Sequence, residues 1–129
     1  MDKYSFDTHS LVWYFQGKKT LSLKAFSCLE EVFSQKAMGH VSLIVVMEAY
    51  YISLKKKNGL NFKEFLKDLS RAKIELVPLD VVVARECFFL PKRLEMHDKI
   101  IVATAIMTDS VLVTKDRTIR SLKNIKTVW

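Results

Sequence analysis

Most of the 14 Asp and Glu residues in this sequence have a plain structural reading, but four do not. Glu30, Glu31, Glu64 and Asp68 fall on the polar sides of amphipathic helical patterns, and Asp80 precedes "VVVARECFFL" as a helix cap. Asp7, by contrast, sits between "KYSF" and the apolar run Leu11 to Phe15, at the carboxyl end of a strand-like segment. Asp116 follows "SVLVT" in the same way, and Asp98 opens the helical pattern of "HDKIIVATAIM". Glu48 lies in "LIVVMEAYYI", one helical turn from Ile44, Val45, Tyr51 and Ile52. Burying an ionised carboxylate against such neighbours is expensive unless something positive pairs with it.

Three of the four have a bland alternative. Asp7 and Asp98 stand where aspartate caps helices, and for Asp7 alone the cap is the simpler reading. Glu48 could pair with a lysine or carry a raised pKa. Together they say more, because strand carboxyl ends in an α/β protein form the rim where ligands bind, and all four side chains can meet in one cleft there. Two like charges about 4 Å apart repel by about 4 kcal/mol at an effective dielectric near 20, so such a cleft needs a cation. All-oxygen ligation selects Mg²⁺ or Mn²⁺, ions that activate water and neutralise charge on a phosphodiester. Zinc is disfavoured, since His9, His40 and His97 lack ligand spacing. Asp109 stays outside, about 16 Å along its helix from Asp98, and is expected to end that helix.

The elements that must position these groups alternate between strand and helix. "KYSFD" reads as the first strand, "LSLKAFSCLEEVFSQKA" as a helix with Leu23, Phe26, Leu29 and Phe33 at helical spacing, and "GHVSL" as the second strand. Ser42 can cap a helix running through "IVVMEAYYISLKKK" to a stop at Asn58-Gly59. "NFKEFLKDLSRA" is an amphipathic helix with Phe62, Phe65, Leu66 and Leu69 inward, "IELVPL" the third strand, and "SVLVT" the fourth. "RTIRSL" is a short helix and "IKTVW" an edge strand. This order predicts one α/β domain spanning 1–129, with a mostly parallel sheet covered by helices on both faces.

Composition narrows the setting. The excess of 21 Lys and Arg gives a net charge of +7, which favours polyanions such as nucleic acid. "SLKKKNG" reads as a solvated helix end, whereas Lys115, Arg117, Arg120, Lys123 and Lys126 surround the lone Asp116. No apolar run approaches the roughly 20 residues that span a bilayer, and the N-terminus lacks a signal-peptide pattern, so a cytoplasmic protein with no membrane contact is expected. Cys28 and Cys87 sit inside apolar patterns as free thiols with no assigned chemistry.

Three segments, "FDTHSLVWYF", "VSLIVVMEAYY" and "HDKIIVATAIMTDSVLVTKDRTI", taken in that order, resemble the PIN-domain ribonucleases, and among them the toxin component of VapBC-type toxin–antitoxin pairs. The resemblance covers nearly the whole chain. It implies a three-layer α/β/α sandwich and a metal-dependent endoribonuclease using Mg²⁺ or Mn²⁺. Its acidic site would be Asp7, Glu48, Asp98 and Asp116, supported by Thr114. RNA as substrate, a cognate antitoxin and a homodimer are likewise implied. On that reading Lys115, Arg117, Arg120 and Lys123 hold the RNA backbone. Two other readings are a non-catalytic RNA- or partner-binding module on the same scaffold, and a phosphoacceptor receiver domain. The receiver is the weaker, because it wants an acidic pair after the first strand and "SFDTHS" offers one aspartate.

Overall fold

The computed structural model describes residues 1–55, 57 and 59–129. Among them, five strands form one sheet: β1 (Lys3–Phe6), β2 (Met38–Ser42), β3 (Ile74–Val77), β4 (Val111–Val113) and β5 (Thr127–Val128). Their order across the sheet is β3-β2-β1-β4-β5 and every pairing is parallel. Parallel neighbours need long connections, and seven helices supply them: α1 (Thr8–Gln16), α2 (Leu23–Phe33), α3 (Leu43–Ser53), α4 (Phe62–Arg71), α5 (Val81–Phe88), α6 (Met96–Met107) and α7 (Arg117–Arg120). The result is the three-layer α/β/α arrangement that the alternation of elements predicts.

The chain leaves β1 in one direction to build β2 and β3, and returns on β1's other side to build β4 and β5. The carboxyl ends of β1 and β4 therefore flank the switch point of the sheet, the place where open α/β sheets bind ligands. Register fixes the two ends side by side, with Phe6 opposite Val113. The next residue along β1, Asp7, donates its backbone N–H to the Val113 carbonyl at 3.4 Å.

One helical face differs from its sequence reading. In α2 the buried stripe is Ala25, Cys28, Leu29 and Val32, while Leu23 is 87% exposed and Phe26 is also exposed. Small residues face the sheet because the approach is close: a Cβ on Gly39 of β2 would lie 2.7 Å from Val32 Cγ1 and 2.9 Å from Ile74 Cγ1. The helix stops at Phe33, short of the predicted Ala37, and Gln35 turns the chain with φ 66°. In α4, Phe65 and Leu69 are buried and Phe62 half-buried, but Leu66 is exposed. α3 ends at Ser53, before the predicted lysine run. Lys56 and Asn58, the latter half of the predicted Asn58-Gly59 stop, lie outside the described residues, and Gly59 has φ +63°. Asp109 ends α6 as expected, at φ 50°. No described helix is long and apolar enough to cross a membrane.

The core holds one ionisable group that no hydrogen bond satisfies. His40 of β2 lies between Ser5 of β1 and Glu75 of β3, and it is buried. Neither ring nitrogen nor the Ser5 hydroxyl has a hydrogen-bond partner, and the nearest Glu75 oxygen is 4.0 Å from Nδ1, beyond hydrogen-bond length. Burial, aided by the Lys3 charge and opposed by Glu75, holds the His40 pKa below its ordinary value. The folded protein therefore resists a proton that the unfolded chain accepts near pH 6.5. Stability conferred by the neutral ring is complete above that pH and lost as pH falls through the folded pKa. On acidification from about pH 7.5 to about pH 5.5, the melting temperature of the parent should fall further than that of His40→Leu, measured by circular dichroism.

Candidate functional site

Asp7, Glu48, Asp98 and Asp116 line one cleft of about 410 Å³, with Thr8, His9, Trp13, Ile101, Lys115 and Ile119 completing its walls. Each carboxylate reaches it from a different element. Asp7 follows β1 and caps α1, as its bland reading has it: Oδ1 accepts from the Ser10 backbone N–H at 2.9 Å and from Ser10 Oγ at 2.6 Å. Its second oxygen accepts from Thr114 Oγ1 at 2.5 Å. A carboxylate offers about four acceptor positions, and three are taken. The remaining lone pair belongs to an oxygen whose direction is already fixed.

Asp116 caps α7, with Oδ1 accepting from the Ile119 N–H at 2.9 Å, and its own N–H donates to Thr114 Oγ1 at 3.1 Å. The fully buried Thr114 hydroxyl thus receives from Asp116 and donates to Asp7, tying the end of β4 to the end of β1. Ser10 reinforces the tie by donating to the Val113 carbonyl at 3.1 Å.

Glu48 sits in the second turn of α3. Its surroundings are wetter than the apolar run suggests, since Tyr51 is exposed and Ile44 and Ile52 are half-buried. Its partner is a histidine rather than the lysine the sequence allowed: His97 Nδ1 lies 2.9 Å from Oε2, and a carboxylate can only accept, so the ring nitrogen donates. Thr8 Oγ1 donates to Oε1 at 2.7 Å. The hydrogen bond to Glu48 raises the His97 pKa.

Asp98 is in the first turn of α6 and does not cap it; Glu95 occupies the cap position, without a side-chain hydrogen bond. Burial raises the Asp98 pKa, and the negative charges of Asp116, Glu95, Glu48 and Asp7 add to the effect. Asp98 thus lies close enough to the other three carboxylates to feel their charge.

The donor set is all oxygen and anionic, which suits a hard divalent cation. Among the described residues no three His, Cys, Asp or Glu side chains form a ready-made metal cluster. The fit is therefore to an ion that keeps several waters and takes only one or two carboxylates directly, as Mg²⁺ does. Of the basic residues, Lys115 lines the cleft, its Nζ 5.9 Å from the centre of the Trp13 ring. Arg117 and Arg120 are exposed on α7, directly after Asp116. Lys123 instead lines a separate cavity with Leu90, Pro91 and Leu122. Thr8, Ser10 and His97 were not singled out by sequence reasoning. Thr8 and Ser10 stand beside Asp7 in "DTHS" and His97 beside Asp98, but His97's partner is 49 positions away.

The sequence matches the PIN domain family over residues 4–125, and the chain belongs to that family. Its fold is similar to that of chains in three solved structures. One is a toxin–antitoxin complex from Klebsiella pneumoniae, at 22% identity over 98% of this chain and 96% of that one, with a TM-score of 0.74. Another is VapBC2 from Rickettsia felis bound to a DNA fragment from its promoter, at 20% identity over 98% and 97%, TM-score 0.71. The third is DNA-bound VapBC from Salmonella typhimurium, at 17% identity over 99% and 98%, TM-score 0.68. Comparison with curated protein sequences found no match.

Because Asp98 is protonated more readily folded than unfolded, its ionised form lowers stability at neutral pH when no cation is present. Metal-free Asp98→Asn should melt above the parent. Saturating Mn²⁺ at 100 times its Kd should stabilise the parent by about 2.7 kcal/mol and the variant by clearly less. Thermal melts with and without EDTA decide both points.

Proposed function

We propose that this PIN domain is a divalent-metal-dependent endoribonuclease and serves as the toxin of a toxin–antitoxin pair. What carries the reading is the shared cleft: four carboxylates from four elements, with the Asp98 pKa pushed up by burial and by the charges of the other three, at the switch point of a parallel sheet. Family membership supports nuclease chemistry, and the likeness to toxin–antitoxin complexes supports the biological role.

Asp7, Glu48, Asp98 and Asp116 would hold Mg²⁺ or Mn²⁺, which when bound supplies Lewis acidity and a more acidic water. The chain's own groups do the rest. Ser10 and Thr114 keep Asp7 aimed at the cleft, and Thr8 and His97 do the same for Glu48. Water attacking phosphorus in line would give its proton to a cleft carboxylate not engaged by the metal, and the leaving oxygen would take a proton from solvent. Lys115, Arg117 and Arg120 neutralise flanking phosphates, and Lys123, outside the cleft, would meet the strand farther along.

A cognate antitoxin and a second copy of the chain are part of the same proposal. Apolar side chains exposed on α3 and α5 and at their carboxyl ends, among them Met47, Tyr51, Leu54, Phe88 and Phe89, offer the surface for such contacts. A cytoplasmic location follows from RNA as the substrate.

Mixed single-stranded RNA should be cut in Mn²⁺ or Mg²⁺ and left intact in EDTA. Asp7→Asn should abolish cleavage. It keeps an acceptor for Ser10 but not for Thr114, so it also loses part of the strand tie. Asp68→Asn, on α4 and outside the cleft, should cut at the parental rate. Full activity in Asp7→Asn would reduce Asp7 to a helix cap.

Binding should separate from chemistry by salt. Every phosphate deprived of its cationic partner lowers the slope of log affinity against log salt by about 0.7 for a single strand. Arg117→Ala/Arg120→Ala should therefore weaken RNA binding and flatten that slope by about 1.4 while Mn²⁺ affinity holds. An unchanged slope would assign these arginines to an acidic protein partner instead.

A further inference from the structure

Carboxylates and cations account for a phosphate in the cleft, but two aromatic rings in its wall are unused. His9 and Trp13, one turn apart on α1, are stacked with ring centres 5.4 Å apart and planes 30° from parallel. Trp13 is half-buried, braced edge-on by Trp129 at 6.0 Å and approached by the Lys115 ammonium. His9 is exposed. It lines the acidic cleft and also a second cavity of about 440 Å³, walled mainly by Ile44, Met47, Tyr51 and Ile52. Thr8 and Glu48 are shared by the two cavities as well.

We propose that the His9–Trp13 stack is a nucleobase platform: the base next to the phosphate held in the cleft lies on His9, over the apolar second cavity. The proposal rests on the ribonuclease reading and adds a base-binding subsite to it. A flat ring joined through a ribose to a phosphate is the chemistry that two such adjoining cavities accept together. Ring stacking is tolerant of base identity, because every base presents a π face. Trp13 stiffens His9 from beneath, and Lys115 places its charge where the strand's phosphates pass.

The test uses the full chain in Ca²⁺, an ion that suits all-oxygen ligands, with a gel run alongside to confirm that the strand stays uncut. Two probes are compared, hexaadenylate and a hexameric abasic ribose–phosphate backbone of equal charge. Loss of one stacked base corresponds to about a five- to 150-fold loss of affinity. His9→Ala should lose that factor for hexaadenylate and stay within about twofold of the parent on the abasic strand. His9→Phe, which keeps the ring and removes the ring nitrogens, should restore hexaadenylate binding. Quenching of 2-aminopurine placed in the hexamer should appear with the parent and His9→Phe, and fade with His9→Ala. Equal losses on both probes, no loss on either, or failure of Phe to restore binding overturns the platform. If the parent meanwhile cleaves RNA in Mn²⁺, only the platform falls; a parent that binds neither probe and cleaves nothing takes the ribonuclease reading with it.

Discussion

Four carboxylates facing one cleft repel one another, and most of the local structure around them exists to hold them there. The sheet order sets β1 beside β4, so Asp7 and Asp116 emerge at neighbouring strand ends. Thr114 ties the two together through one buried hydroxyl. Glu48 is held from both sides, by a hydroxyl of α1 and an imidazole of α6. Asp98 has no comparable hydrogen-bonding support, and it is the carboxylate whose pKa rises. Burial is the larger cause of that rise, and the charges of the neighbouring carboxylates add to it.

Capping and the proposed ligation are compatible uses of one side chain. Asp7 and Asp116 each satisfy orphan N–H groups at the start of a helix. Those bonds fix the carboxylate's rotamer, so the oxygen left over is aimed without further rotamer entropy to lose. The two readings that compete for Asp7 in the sequence describe different lone pairs of the same group. Glu48, in mid-helix, has no orphan donors to serve and must borrow Thr8 and His97 for the same purpose.

The strands were legible because short apolar runs bounded by turn residues alternate with longer helical patterns; Asp7, Asp98 and Asp116 stood out because element ends can be counted, and Glu48 because its neighbours in the sequence are apolar. Helical faces were less legible. In α2 the bulky Leu23 and Phe26 suggest an inward stripe, but the buried face is Ala25, Cys28, Leu29 and Val32, the last packed close over Gly39. Nothing within one helix reveals how near its neighbour lies. Pairings across the fold were equally hidden: His97 meets Glu48 only after α3 and α6 pack together, and Lys123 drifts from the cleft because the chain turns away after α7.

The bond between Thr114 and Asp7 closes a span of 107 positions. Domains emerge from the ribosome N-terminal end first, and a parallel pair cannot form until its second strand has been made. β1, with Asp7 at its end, is synthesised early yet has no β4 beside it until everything between them has emerged. Strand order thus defers assembly of the cleft until β4 has been made and has paired beside β1.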